Sequence, residues 1–245
     1  MITAFSITLA LCVLACLFWL AWASPDWVGL GTLQDEQDFR VRFDMGLSVL
    51  VGSLIGARLA FIIAHGSYYF GRPIEMLKFW QGGLSWSGAA IGGLLALLIF
   101  ALITKRSFWS LADHLAVPAA FLAAGLWIGC LLDGCAYGIG GQTGSLAITS
   151  SDMFGVVSSR WPTQIVGAAC SLLILLGVFL LRRWLKPAGL LASLVLTLLA
   201  VMMLALSFTR ADPVGLLWGL RLDMLGSVFM LLAGLAGLIF RLSKP

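Results

Sequence analysis

Gly82-Gly83-Leu84-Ser85 opens an apolar run that continues to Ile103, and Gly129-Cys130-Leu131-Leu132-Asp133-Gly134-Cys135-Ala136-Tyr137-Gly138 closes the next one, 115–132. Between them stands the short charged segment Thr104-Lys105-Arg106-Ser107-Phe108. Each run reaches the length at which a helix crosses a bilayer, about 17–25 residues. Neither alternates with period two, as a barrel strand would. The same pattern recurs along the chain. Seven stretches qualify: 2–22, 43–65, 84–103, 115–132, 165–181, 188–208 and 222–240. Backbone groups in hydrocarbon must be paired within their own segment, which selects helices. The expected fold is all-α: a polytopic membrane protein with seven transmembrane helices, read as one integral-membrane domain over 1–245.

Composition leads to the same place. Of 245 residues, 61% are hydrophobic and 11% charged, against about 25% charged in soluble domains. The net charge of +4 is spread over loops. It forms no basic stripe, so nucleic acid is not expected as a partner. The first span lacks a basic leading segment and is too long for a signal-peptide core. Ala21-Trp22-Ala23 has the small-x-small form of a cleavage site, but without Lys or Arg ahead of it the span reads as a retained helix. With the N-terminus outside, the cytoplasmic segments hold Arg40, Arg42, Lys105, Arg106, Arg182, Arg183, Lys186, Arg241 and Lys244. The outer ones hold only Arg72, Lys78, Arg160, Arg210 and Arg221. The excess of basic residues inside favours N-outside, C-cytoplasmic. The 66–80 loop then lies outside, with Tyr68, Tyr69 and Trp80 suited to the headgroup belt and Phe70-Gly71-Arg72-Pro73 as a turn.

Few side chains in the spans can carry chemistry. Arg58 sits roughly 22 Å along the second span, nearer its outer end. A charge there costs about 2.5–3.5 kcal/mol on insertion scales. It therefore needs a partner, a water cavity or an anionic ligand, or it snorkels to the interface. A phosphate suits its planar fork. Cys130 and Cys135 flank Asp133 and Gly134. Their spacing is not a zinc pattern. They form a disulfide if the helix breaks at Gly134, or are two small packing residues. Cys12, Cys16 and Cys170 read as packing. Ser87 starts the third span as a cap or packing residue, with no His or carboxylate nearby in sequence. His65 and His114 read as interfacial, and Asp113 as the start of the fourth helix. Arg210, before the break at Asp212-Pro213, is an interfacial anchor or a second anion contact.

Several of these segments resemble one family. Gly56-Ala57-Arg58, Tyr68-Tyr69, Pro73, Trp80 and Gly82-Gly83-Leu84-Ser85 are similar to the bacterial prolipoprotein diacylglyceryl transferases. Thr104-Lys105-Arg106-Ser107-Phe108 with Asp113, the 129–138 segment, and Arg160-Trp161-Pro162-Thr163-Gln164 extend the match. It is close over 43–164 and looser beyond. The resemblance implies a multi-pass enzyme of the bacterial inner membrane acting in lipoprotein biosynthesis. It would move a diacylglyceryl group from phosphatidylglycerol to the cysteine thiol of a prolipoprotein, or to a related acceptor, and no cofactor or metal is expected. It implies substrate binding by Arg58, Arg210, Gly134, Tyr137, Gly138 and Gln164. Cys130, Cys135, Asp133 and Ser87 are the candidate catalytic residues.

The pattern also departs from the family. Ser87-Gly88-Ala89 stands where the family has His-Gly-Gly, and Trp127 and Cys130 stand at an Arg and an Asn. Cys135 and Gly167 replace two Glu residues, and Met203 a further Arg. Conventional transfer is therefore expected to be weak or lost, with a Cys135 thiolate serving a different acceptor chemistry. The alternatives are a non-catalytic lipid- or lipoprotein-binding paralogue, and a thiol-redox membrane protein using Cys130 and Cys135.

Overall fold

Seven long apolar helices dominate the computed structural model, which describes residues 3–22, 35–78, 82–141, 147–217 and 219–243, with backbone alone at 35–38 and 217. Trp80, Ala23 and Lys244, used above, lie outside the described residues. The spans are α1 (Ala4–Trp22), α2 (Asp35–Ala64), α4 (Trp86–Thr104), α6 (Ala116–Asp133), α7 (Thr163–Leu181), α8 (Leu190–Ser207) and α9 (Leu222–Leu242). All seven are long and apolar enough to cross a membrane, α2 over Phe39–Ala64. Most ends fall within about two residues of the runs read from sequence. The exception is α2, which runs helically through the charged residues ahead of its span.

The spans close into a ring. Going round, α1 packs on α2, α2 on α4, α4 on α9, α9 on α8, α8 on α7, α7 on α6, and α6 back on α1. Lipid is as apolar as leucine, so close approach between helices has to come from small residues. The α2–α4 contact shows this. A Cβ added at Gly52, Gly56, Gly88 or Gly92 would overlap backbone or an alanine methyl of the facing helix. The short helix α5 (Phe108–His114) fills one end of the ring, touching α4, α6 and α8. Leu111 and Ala112 join the buried cluster of Leu20, Met45, Leu97 and Ala101 there.

Asp113 lies inside α5 and does not start the next helix, as its place in the sequence implied. Its carboxylate accepts from the Gly189 and Ala192 amides, at 2.6 and 2.8 Å, and so caps α8. The cap of α4 is Ser85, whose Oγ accepts from the Gly88 amide at 3.4 Å. The opposite end of the ring carries the longer connections. They contain α3 (Gly66–Tyr69), a 3₁₀ turn Pro73–Leu77, the hairpin β1 (Ile148–Ser151) with β2 (Val157–Arg160), and the short pair β3 (Leu216–Leu217) with β4 (Leu220–Arg221). These two small sheets are the only strands among the described residues, and continuous apolar periodicity had no means of showing them.

Candidate functional site

The end of the ring opposite α5 gathers the C-termini of α6 and α8, the N-termini of α1, α7 and α9, and the loops between them. α6 stops at Gly134, whose φ of 71° puts it in the left-handed region that terminates helices. The turn brings Cys130 and Cys135 to a Cα–Cα distance of 4.6 Å, and they are joined by a disulfide. Of the two readings of this pair, the cross-link is the one realised. Neither sulfur is then a thiol, so the expected Cys135 thiolate is not available. Asp133 accepts from the Ala4 and Phe5 amides at 3.1 and 2.8 Å. Both oxygens cap α1, a positioning task. A Cβ at Gly134 would stand 2.7 Å from the Asp152 carbonyl, so the β1–β2 hairpin rests directly on this turn.

Beyond the turn, three segments are stitched edge to edge. The Ile139 amide donates to the Thr209 carbonyl, Ala211 to Tyr137, and Trp161 to Ile139, all at 2.9–3.0 Å. Gly138 lies where a Cβ would overlap the Trp161 carbonyl, so the approach requires glycine. Gln164 is fully buried. Its Nε2 donates to the Cys135 carbonyl at 2.9 Å, while its Oε1 has no partner. The Tyr137 ring lies under the Arg160 guanidinium at 4.7 Å. Arg160 pairs with Asp152 at 2.9 Å and keeps a buried Nε without a partner. Burial works to raise the Asp152 carboxyl, but the Val156 and Phe154 amides and Arg160 outweigh it and hold it below its ordinary value.

Arg210 belongs to a four-membered ion cluster. It grips Asp212 with Nε and Nη2, at 2.8 and 2.5 Å, and reaches Asp223 at 3.4 Å. Arg221 bridges the same two carboxylates at 3.3 and 3.1 Å and donates to the carbonyls of Arg210 and Asp212. Burial alone would lower Arg210 and raise Asp212. Their mutual pairing, with Asp223 and Arg221 adding to it, reverses both shifts. Two guanidinium groups thus face two carboxylates in one cluster. Sequence reading had singled out Arg210 but missed Asp223. A carboxylate in the first turn of a span, two residues after an Arg, was the available signal.

Arg58 and Ser87 stand apart from this group, on the α2–α4 side. Arg58 is 3% exposed. Its Nε donates to the Met76 carbonyl at 2.9 Å, Nη2 to Glu75 at 2.6 Å, and Nη1 to Gly82 and Gly83 at 2.7 and 3.3 Å. The face of Tyr69 lies 5.4 Å away. Four backbone carbonyls thus occupy the fork that was expected to hold an anion, and Tyr69 turns inward and does not join a lipid belt. Ser87 Oγ lies 3.0 Å from Ser85 Oγ, and its Cβ occupies the space a Gly226 side chain would need on α9. Its contacts are those of a packing residue.

Three positions that depart from the family pattern meet in one place. The Trp127 indole fills the volume that a Cβ on Gly167 would require. Trp127 is buried with Met202 and Leu206, and Val166, Cys170 and Met203 pack around them. The Trp127 Nε1 has no partner. Among the described residues no group of three or more His, Cys, Asp or Glu could hold a metal ion. What this end offers chemically is a set of guanidinium groups, at Arg160, Arg210 and Arg221, beside a rigid cross-linked turn.

Comparison with known proteins gives this arrangement its relatives. A 31% identical stretch of 158 residues, 64% of this chain, is shared with the phosphatidylglycerol–prolipoprotein diacylglyceryl transferase of Thermoanaerobacter sp. (strain X514). The enzyme of that name from Tolumonas auensis is 35% identical over 162 residues, 61% of this chain. The one from Rickettsia akari is 30% identical over 197 residues, 76% of this chain and 73% of its own length. The chain spans only 56% and 58% of the lengths of the first two. The sequence model of the prolipoprotein diacylglyceryl transferases matches residues 1–240. With seven membrane-spanning helices and a match along nearly its whole length, the chain belongs to the prolipoprotein diacylglyceryl transferase family.

Proposed function

We propose that this chain is a multi-pass transferase of the bacterial inner membrane, acting as one unit over 1–245. It would move a diacylglyceryl group from phosphatidylglycerol to the cysteine thiol of a prolipoprotein. Family membership over 1–240 is the observation that carries this reading. In the reaction the acceptor thiolate attacks the glyceryl carbon, a C–S bond forms, and the C–O bond to the phosphate breaks. Glycerol phosphate leaves with the electron pair. The nucleophile comes from the acceptor, because the two cysteines at this end of the chain are bonded to each other. The chain's part is to hold the lipid and stabilise charge on the leaving phosphate. Arg160, with its unpartnered Nε, and the Arg210–Arg221 pair are the cations at the right end. Tyr137, Gly138 and Gln164 form the wall beside them. The disulfide supports placing this end on the oxidising, outer side of the membrane. That agrees with the excess of basic residues at the other end and supports the orientation with the N-terminus outside.

A second reading, a non-catalytic lipid- or lipoprotein-binding member, is favoured by one observation. Where the resemblance puts an Arg and a Glu, Trp127 is seated on Gly167. An apolar plug there cannot neutralise a leaving phosphate. Loss of one positioned electrostatic group costs ~10²–10³ in rate. Expression in a transferase-depleted bacterial strain, with transfer from labelled phosphatidylglycerol to a lipobox peptide measured alongside, separates the two. Rescue with measurable transfer supports the enzyme. Tight phosphatidylglycerol binding with neither rescue nor transfer overturns it in favour of the second reading.

A further inference from the structure

The guanidinium of Arg210 already holds an anion. Its Nε and Nη2 donate to the two oxygens of Asp212, at 2.8 and 2.5 Å, and Nη1 lies 3.4 Å from Asp223. The Asp212 contact is the bidentate fork in which an arginine also takes a phosphate. One fork cannot hold both at once. The two carboxylates of the cluster are anchored very differently. Asp223 stands in the first turn of α9. It accepts from the Met224 amide at 3.0 Å, from Arg221 at 3.1 and 3.3 Å, and from Ser207 at the end of α8 at 3.4 Å. These bonds join two spans. Asp212 lies in the connection between α8 and β3, just ahead of Pro213. Besides Arg210, its carboxylate meets Arg221 Nη2 at 3.3 Å and its own backbone amide. Those bonds involve no helix backbone. Of the two carboxylates, Asp212 is the one that can leave without separating spans.

We propose that Asp212 is an internal stand-in for phosphate, which occupies the Arg210 fork until the phosphodiester of the lipid displaces it. The inference rests on the transferase reading above. Lipid binding then exchanges one anion for another on the same two donors, so its net gain is the difference between them. A glycerolipid without a phosphate has nothing to offer the fork. The exchange also works in reverse. Once glycerol phosphate has been cleaved from the lipid, Asp212 competes for the fork again and helps to expel the product. Asp223 takes no part in the exchange and keeps Arg221 and the two helix ends in place.

The test uses the full-length protein in phosphatidylcholine nanodiscs, with glycerol phosphate as a soluble probe measured by calorimetry. Transfer from phosphatidylglycerol to a lipobox peptide is followed in parallel. Asp212→Asn removes the competing charge and should tighten glycerol phosphate about tenfold, since charged hydrogen bonds no longer have to be exchanged. It should also lower KM for phosphatidylglycerol and strengthen inhibition by the product. Asp212→Glu should stay near the unaltered protein. Asp223→Asn should lower the melting temperature without tightening the probe. In the unaltered protein, bound glycerol phosphate should speed hydrogen exchange at the Asp212 amide, which loses its bond to the carboxylate. That measurement needs no variant, so it decides even where Asp212→Asn does not fold. Unchanged or weaker probe binding in a folded Asp212→Asn, with transfer by the unaltered protein intact, overturns the stand-in and leaves the transferase reading. Unchanged exchange at the Asp212 amide with the probe bound does the same. An unaltered protein that neither binds glycerol phosphate nor transfers overturns both.

Discussion

Replacing Arg58 by Met separates a loop-pinning arginine from a phosphate-binding one. The methionine fills most of the volume and removes every donor. Three of the Arg58 bonds are 2.9 Å or shorter. Taken at ~1.5 kcal/mol each, the low end for charged donors, they contribute ~4.5 kcal/mol to holding Glu75, Met76 and Gly82 on the bundle. Water at the interface recovers part of that when the bonds are lost, which leaves about 3 kcal/mol. At 1.4 kcal/mol per tenfold change, local opening of the Pro73–Leu77 turn becomes about a hundredfold more frequent. The bundle as a whole behaves differently. Removing a buried charge relieves about 2.5–3.5 kcal/mol of insertion cost, so global stability should move by no more than ~1 kcal/mol. Hydrogen exchange reads both. The Glu75, Lys78 and Ser85 amides, which bond to Arg72, Glu75 and Ala57 carbonyls, should exchange about a hundredfold faster, with the span amides unchanged. Unchanged exchange at these three amides, together with lost phosphatidylglycerol binding, would refute the reasoning and return Arg58 to the anion site.

Reduction of the Cys130–Cys135 bond, with a sequence separation of 5, should lower stability by about 2 kcal/mol on the loop-entropy estimate. Melting with and without reductant measures this, and Cys130→Ser combined with Cys135→Ser should abolish the difference. Burial raises the Asp113 carboxyl from 3.8 to about 6, against the opposing pull of the Ala192 and Gly189 amides and Arg241. The folded state thus holds this proton more tightly than the unfolded one. The contribution is fully present below about pH 4 and is lost as pH rises toward about 6. Asp113→Asn keeps one amide acceptor of two. It should cost ~1 kcal/mol and flatten that pH slope in denaturation series at several pH values. Gly167→Ala forces a methyl into the Trp127 ring and should destabilise by about 1–3 kcal/mol. Pairing it with Trp127→Leu should recover part of the loss, and a double-mutant cycle with no coupling would show that the two do not meet.

Seven spans were legible because lipid imposes one rule everywhere: about 20 apolar residues, with the backbone satisfied inside a helix. No long-range contact is needed to apply it, and most helix ends follow within about two residues. The turn at Gly134 was legible as well, since Asp133-Gly134 ends an apolar run whatever surrounds it. Partnership was not legible. Arg58 reads as a charge in need of a partner, a water cavity or an anion, and its partners are carbonyls at 75, 76, 82 and 83, which sequence spacing does not connect to it. Asp113 reads as a local helix start and in fact caps α8, 76 residues further on. Arg210 reads as an interfacial anchor or an anion contact until the fold delivers Asp223 and Arg221 to it. Trp127 and Gly167 each read as a loss of a polar group, and only packing shows that one side chain fills the space the other leaves open. The sequence alone determined the number of spans and their order, because each span is a property of one contiguous segment. Which polar groups meet depended on how the ring closes, because a charge within a membrane takes whatever partner the tertiary structure brings within reach.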